Sequence, residues 1–425
     1  MSLPPQPPSF DLAIRHARVI HGDGRVTPRA TVFVSSGRIS RVDTTPAADA
    51  VPARRAIEAS GQTLIPGLID AHVHVESWSA PLFLKYGVTS VRDVHNAPDM
   101  ILPLSRVDSP AGPRIVAAGA MLDGPGSFWP NAIVVSDITS VRVAVRRQVE
   151  AGAGVIKVYT RLSSSMIAAI VQEARARGVP VAAHLGRATA VEAAIAGVTS
   201  IEHLSGVADA ASSDRERMKR AHDDFLAGWT AFELEWLRLQ PAALEQVART
   251  LVERGVTVVP TLALHEAFSR LVDPDLLKDP ALADVPAEVV QRAWAPVDIM
   301  TRAKWTPETL AQFKRVMPVL QRFVTLYAQA GGRVVAGTDT AQQFVVPGAS
   351  LHRELELYVA GGLTPAQALK SATSDAADLL GIAARTGTIQ AGKDADLVLV
   401  SGDPLADIRA TRRILNVVRG GVVVR

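Results

Sequence analysis

Between residues 64 and 340 the chain repeats one unit, a short apolar strand followed by a loop and, in many cases, a helix. Eight segments fit the strand: LIPGLIDAHVHV (64–75), VTSVRDV (88–94), RIVAAG (114–119), VIKVYT (155–160), VPVAAHL (179–185), TSIEHL (199–204), VTVVPTLAL (256–264) and RVVAGTDT (333–340). Apolar runs of this length carry no polar face, so they suit strands covered on both sides, as in a parallel sheet. Between them, stretches such as SSSMIAAIVQEARARG and AVEAAIAG have helical apolar spacing. Eight strands alternating with helices predict an α/β protein built on a (β/α)8 TIM barrel.

The two ends have a different texture. Residues 11–64 and the C-terminal stretch read as short strands broken by turns, as in ATVFVSSGRISRVD and RRILNVVRGGVVVR. We expect residues 1–64 and 385–425 to build one small β-sandwich domain, and residues 65–384 to form the barrel. Two connections, at about 207–250 and 266–330, are too long for plain crossovers and read as helical insertions. They hold Trp229, Trp236, Trp294 and Trp305. Lids, pocket walls, internal packing and a subunit contact are all open to them.

Composition narrows the chemistry. The chain has no cysteine, which excludes disulfides, thiolate metal sites and cysteine nucleophiles. Its formal charge of +3 over 425 residues is weak for a nucleic-acid binder. The cluster Arg215, Arg217, Lys219 and Arg220 reads as a solvated helix face. No run of 18 or more apolar residues is present, so no membrane span is expected. MSLPPQPPSF lacks the basic and apolar regions of a signal peptide and reads as a flexible tail. The expectation is a cytoplasmic enzyme that acts on a small molecule and self-associates through its apolar insertions.

The polar residues at the strand ends carry the functional signal. His72 and His74 alternate within one strand, so they share a face and could grip one metal ion. A pair of hydrogen-bonded histidines without chemistry is the other reading. Lys157, His184, His203 and Asp339 sit on the fourth, fifth, sixth and eighth strands. In a TIM barrel such ends converge on one mouth. Lys157 is the most telling, because it interrupts an apolar strand where an ammonium is costly to bury. Burial favours the neutral amine. A neutral amine can add carbon dioxide and become an anionic carbamate that bridges two cations. The alternative is a lysine that reaches the rim or pairs with Asp339.

In this order, IPGLIDAHVHV, VIKVY, AAHLG, SIEHLSG and VAGTD resemble the metal-dependent amidohydrolase superfamily. The likeness is closer to its prolidase-like and imidazolonepropionase-like branch, whose C-terminal signature resembles residues 351–382 and 387–408. It runs over about residues 11–425. The resemblance implies a distorted barrel with a β-sandwich and two divalent ions, usually zinc. His72, His74 and Asp339 would hold the first ion, His184 and His203 the second, with carboxylated Lys157 between them. It implies hydrolysis of a peptide-like amide, such as a dipeptide or an N-acyl or N-aroyl amino acid. A metal-bridging hydroxide would attack, and Asp339 would carry the proton to the leaving amine.

Tyr159 and Arg161 follow Lys157 and are expected to contact substrate, with Arg161 as a carboxylate clamp. The family often has Ser-Gly-Gly just after this tyrosine, whereas here Thr160-Arg161-Leu162-Ser163 follows. His265 is a candidate hydrogen-bond donor to the substrate carbonyl. Gly124, Gly126, Phe128 and Trp129 could shape the pocket wall, and His95 could contact it. Asp70 and Asp93 could orient ligand imidazoles or cap loops. His16, His21, His222 and His352 read as structural.

Other functions remain open at this point. Mononuclear deaminases and cyclic amidohydrolases often carry a Glu three residues after the fifth-strand histidine, where this chain has Arg187. An esterase, lactonase or organophosphate hydrolase could use the same hydroxide. A non-catalytic scaffold would usually have lost metal ligands, and all six are present.

Overall fold

A computed structural model describes residues 10–425. The N-terminal tail reading falls on residues 1–9 and lies outside them. All eight expected strands are present, with shorter bounds: Leu68–Val73, Val88–Asp93, Arg114–Ala117, Ile156–Val158, Val181–Ala183, Ser200–Glu202, Thr257–Val259 and Arg333–Val334. Every residue of the first two is buried, as a parallel strand covered on both faces requires.

The first three of these strands pair in parallel as one sheet, and the last five form a second parallel sheet in chain order. Two short strands, Leu122–Asp123 and Ile133–Val134, extend the edge of the second sheet and are not evident in the sequence. The two sheets meet at both edges. Gly154 N donates to Ala117 O at 2.9 Å on one side. On the other, Val73 bridges Thr340 in parallel, and Asp339 N donates to His72 O at 2.8 Å. This arrangement is consistent with a TIM barrel.

The late strands are cut short for local reasons. Thr261 takes a left-handed backbone (φ 51°), so the expected strand 256–264 stops at Val259 and Leu262–Ser269 turns into a helix. After Val334 the chain runs irregularly against the first strand. Gly337 permits that approach, since a Cβ there would lie 2.9 Å from His72 Cβ. Intervening helices start at caps. Asp137 accepts from Ser140 N at 2.7 Å, and Thr189 and Glu192 form a capping box for Ala190–Ala196.

Both long connections are largely helical. The first holds Val207–Ala211, Arg215–Ala221, Phe225–Glu235 and Pro241–Glu253. The second runs from Leu262–Ser269 through Pro296–Ala303 to Pro307–Gln329. Trp229, Trp294 and Trp305 pack with Phe268, Phe313 and Phe344 into a second core, while Trp236 joins the main core. Trp229, Trp294 and Trp305 line a cavity as well as packing in the second core. Arg215, Lys219 and Arg220 are exposed, and Arg217 pairs with Glu235 across two helices.

The two ends of the chain meet in one mixed sheet of eight strands. Gln62–Pro66 pairs antiparallel with Leu397–Ser401, in register Leu64 to Leu399. Its apolar face buries Leu12, Ile14, Val32, Leu397 and Leu399. Both ends of the described chain thus contribute strands to this one mixed sheet. Asp396 ties this sheet to the parallel one. It is fully buried and accepts from Arg114 at 2.9 Å, from Arg419 at 3.1 Å and from Gly420 N at 2.8 Å. Its removal leaves two guanidinium groups short of a counter-charge in the interior. Asp396→Ala should therefore lower unfolding stability by about 3–5 kcal/mol, read from denaturant unfolding against wild type.

Candidate metal centre

His72 and His74 leave the first strand on one face, and the left-handed turn at Asp339 (φ 63°) brings its carboxylate between them. Asp339 Oδ1 lies 3.2 Å from His72 Nε2 and 3.0 Å from His74 Nε2. One donor atom from each of the three residues falls within 4.8 Å of the others, a grouping that could hold a metal ion. His203 follows the sixth strand with a left-handed backbone (φ 59°). Its ring is 4.4 Å from that of His72 and 4.6 Å from that of His184. Non-glycine residues held in this region cost about 1–3 kcal/mol and cluster at functional sites.

Lys157, His72, His74, His184, His203 and Asp339 line one cavity of about 380 Å³. Lys157 Nζ is buried there and has no hydrogen-bond partner among the described residues. Burial pushes its ammonium down to about 8, against the pull of Glu202 and Asp339. Burial also keeps His184 and His203 neutral, the form that can donate a lone pair to a cation. Burial opposes the Asp339 carboxylate, yet the surrounding imidazoles, with hydrogen bonds from His72 and His74, hold it well below the ordinary carboxylate range.

The far nitrogens of three imidazoles are fixed. Glu202 meets His72 Nδ1 at 2.6 Å and is itself held by Arg92 at 2.9 Å and Ser200 at 2.5 Å. Burial alone would raise Glu202, but the Arg92 charge and the His72 bond hold it far below the usual carboxylate range. His74 Nδ1 pairs with His95 O at 2.9 Å, and His203 Nδ1 with Thr261 Oγ1 at 2.8 Å. Such bonds set tautomer and ring orientation for metal binding. Thr261 is placed by Glu354, a buried acid that accepts from Leu262 N at 2.9 Å and Ala263 N at 2.6 Å.

The structure sorts the remaining expectations. Tyr159 lines the cavity, and its hydroxyl accepts from Trp129 Nε1 at 2.9 Å. Phe128, Trp129 and His95 line it too. Arg161 does not: its guanidinium lies over Gly126 and donates to the Asp223 carbonyl. His265 does not line the cavity either: Trp229 stacks on it at 5.4 Å and Glu233 holds its Nδ1. Asp70 and Asp93 hold backbone rather than imidazoles. Asp70 accepts from Thr338 Oγ1 at 2.7 Å and His72 N at 3.2 Å, and Asp93 from Val75 N at 2.7 Å. His352 is buried between Thr411 and the Tyr86 carbonyl, His222 on Asp209, His21 on Ile389 O, and His16 meets Asp49 and Glu58. Glu202, Arg92, Thr261 and Glu354 were not anticipated. An acid inside the apolar strand SIEHL is the signal that points to Glu202.

Two outcomes follow. Glu202→Gln should weaken divalent-metal binding about 10- to 100-fold in a competitive chelator titration. Glu354 is pushed by burial from an ordinary 4.5 to about 7, so the fold prefers its protonated form. That contribution is full below about 4.5 and lost as pH rises to about 7, so stability should decline through this window. In Glu354→Gln the decline should shrink, measured as the thermal midpoint between these pH values.

Comparison with known proteins agrees with this geometry. The amidohydrolase family profile matches residues 63–424. Among solved structures, a Bifidobacterium longum protein provisionally described as a prolidase is 26% identical, with a TM-score of 0.71 over 98% of this chain and 95% of its own. The bottromycin amidohydrolase is 25% identical, with a TM-score of 0.73 over 97% of this chain and 86% of its own. An adenine deaminase of Deinococcus deserti is 42% identical over 67 residues, which span 16% of this chain and only 12% of the deaminase. The chain, with its His-His-Asp cluster at the mouth of a parallel sheet, belongs to the amidohydrolase family.

Proposed function

We propose that this protein is a binuclear metal-dependent hydrolase of peptide-like amides, working on a distorted (β/α)8 barrel. A small β-sandwich domain from residues 1–64 and 385–425 would complete the chain. The observation that carries the reading is Lys157, a buried amine with no partner among four imidazoles and a carboxylate. An ammonium left there would repel cations and stay unsatisfied. As a carbamate it would offer two oxygens and a negative charge. The donor set fits two ions: His72, His74 and Asp339 for one, His184 and His203 for the other, and carboxylated Lys157 shared. Zinc suits imidazole and carboxylate donors.

Bound divalent ions would supply Lewis acidity and an activated water for attack on the amide carbonyl. The chain's own part is to place and move protons. Asp339, ionised and aimed into the cavity, takes the proton from the attacking water and returns it to the leaving amine. Tyr159 faces the substrate from the fourth-strand loop. Glu202, the His95 carbonyl and Thr261 hold the rings still. Phe128, Phe225 and Trp229 give the cavity an aromatic wall suited to acyl or aroyl groups and apolar side chains.

A mononuclear deaminase is the second reading, supported by the short matches to adenine deaminases. Against it, Arg187 stands three residues after His184 and is tied to Asp223 at 2.8 Å, so no acid acts as proton shuttle from that position. An esterase, lactonase or organophosphate hydrolase would use the same groups. Elemental analysis after zinc supplementation should give about two ions per chain, with hydrolysis concentrated among dipeptides and N-acyl amino acids in a panel that includes lactones, phosphotriesters and adenine. Lys157→Ala should lose one ion and cut amide hydrolysis at least about 100-fold, since metal activation is worth several kcal/mol. Full activity in that variant would contradict the reading.

A further inference from the structure

We infer that Arg302, on the second helical insertion, is the residue that takes the free carboxylate of an N-acyl amino acid or dipeptide, and that Phe128 and Phe225 hold that substrate's apolar side chain. The inference rests on the amide-hydrolase reading and names the substrate class within it.

The cavity has few fixed charges. Glu76, Lys157, Arg302 and Asp339 are its Asp, Glu, Lys and Arg lining residues. Lys157 and Asp339 belong to the floor, among the imidazoles. Arg302 is an exposed residue of the helix Pro296–Ala303 that lines the same cavity. Among the described residues it has no ion pair and no hydrogen bond, and its one contact of this kind is the face of Phe128, 5.1 Å from the ring centre. The two arginines nearer in sequence to the ligands are committed elsewhere, since Arg161 and Arg187 both bind Asp223.

A guanidinium laid on an aromatic ring keeps its planar edge free, and that edge matches a carboxylate in a two-point contact. An aromatic path joins this edge to the reacting centre. Phe128 stacks on Phe225 at 4.5 Å, and Phe225 lies 6.1 Å from the ring of His184. A substrate with its amide at the imidazoles therefore lays the rest of its leaving amino acid along rings and ends at the cation. In this assignment Arg302 binds substrate and takes no part in the proton transfers, so its loss should act on KM and leave kcat alone.

The test pairs N-benzoyl-phenylalanine with its C-terminal carboxamide, using zinc-loaded wild type, Arg302→Gln and Arg302→Lys. The acid should be preferred by wild type. Arg302→Gln should raise KM for the acid about tenfold, change kcat less than about twofold and leave the carboxamide unaffected, with Arg302→Lys in between. Equal use of acid and carboxamide by wild type, or an equal loss on both in Arg302→Gln, would overturn the assignment. A second readout is independent of turnover: quenching of tryptophan fluorescence by the two compounds in metal-stripped protein. Binding of the acid that Arg302→Gln loses supports the assignment even if neither compound is cleaved, in which case only the amide-hydrolase reading fails. Equal binding by wild type and variant, or no binding of the acid at all, overturns it.

Discussion

An amine buried in the mouth of a parallel sheet, without a hydrogen-bond partner among the described residues, is the constraint around which this molecule is arranged. Lys157 sits in a strand whose other residues are fully apolar and covered on both faces. Its neighbours include His184 and His203, imidazoles that burial keeps neutral and whose lone pairs suit a cation. Among the described residues, the negative charges that act on it are Glu202, spent on Arg92 and His72, and Asp339, placed between His72 and His74. A site of this composition is electrostatically incomplete as a bare protein. The proposed pair of cations and the carbamate complete it together, because each offsets the charge that makes the other costly to bury.

The surroundings serve that centre in layers. Arg92 and Glu202 form a buried ion pair whose second purpose is to fix the His72 ring. Glu354 pins the start of the helix Leu262–Ser269, which fixes Thr261 and through it His203. Left-handed residues at His203, Thr261 and Asp339 mark where the chain leaves regular strand geometry to aim a side chain. Trp229, Trp294 and Trp305, packed among the insertions, are themselves part of the cavity wall. Rigid rings at the floor and an aromatic wall at the rim divide the work between chemistry and selection.

Much of this was legible in the sequence because it rests on one-dimensional patterns. Apolar runs marked all eight strands, and the polar residues that interrupt their ends are those that converge. Strand bounds were less legible, since Thr261 and Gly337 cut the seventh and eighth strands by backbone conformation rather than by composition. Arg161 and His265 were misplaced for a related reason. Their partners, Asp223 and Glu233, lie on the first insertion, whose path over the barrel has no periodic signature. Arg302 was hidden in the same way, as a cavity residue contributed by a helix far along the chain. The Glu202–Arg92 pair spans strands 110 residues apart, and only the fold makes it a pair.

The central claim, that two cations share a carboxylated Lys157, is tested most directly by a crystal structure of zinc-supplemented protein with anomalous data collected across the zinc edge. The account predicts two anomalous peaks, one among His72, His74 and Asp339 and one beside His184 and His203, with density continuing from Lys157 Nζ as a planar group between them. One peak or none, with Lys157 ending in a bare amine, would contradict it.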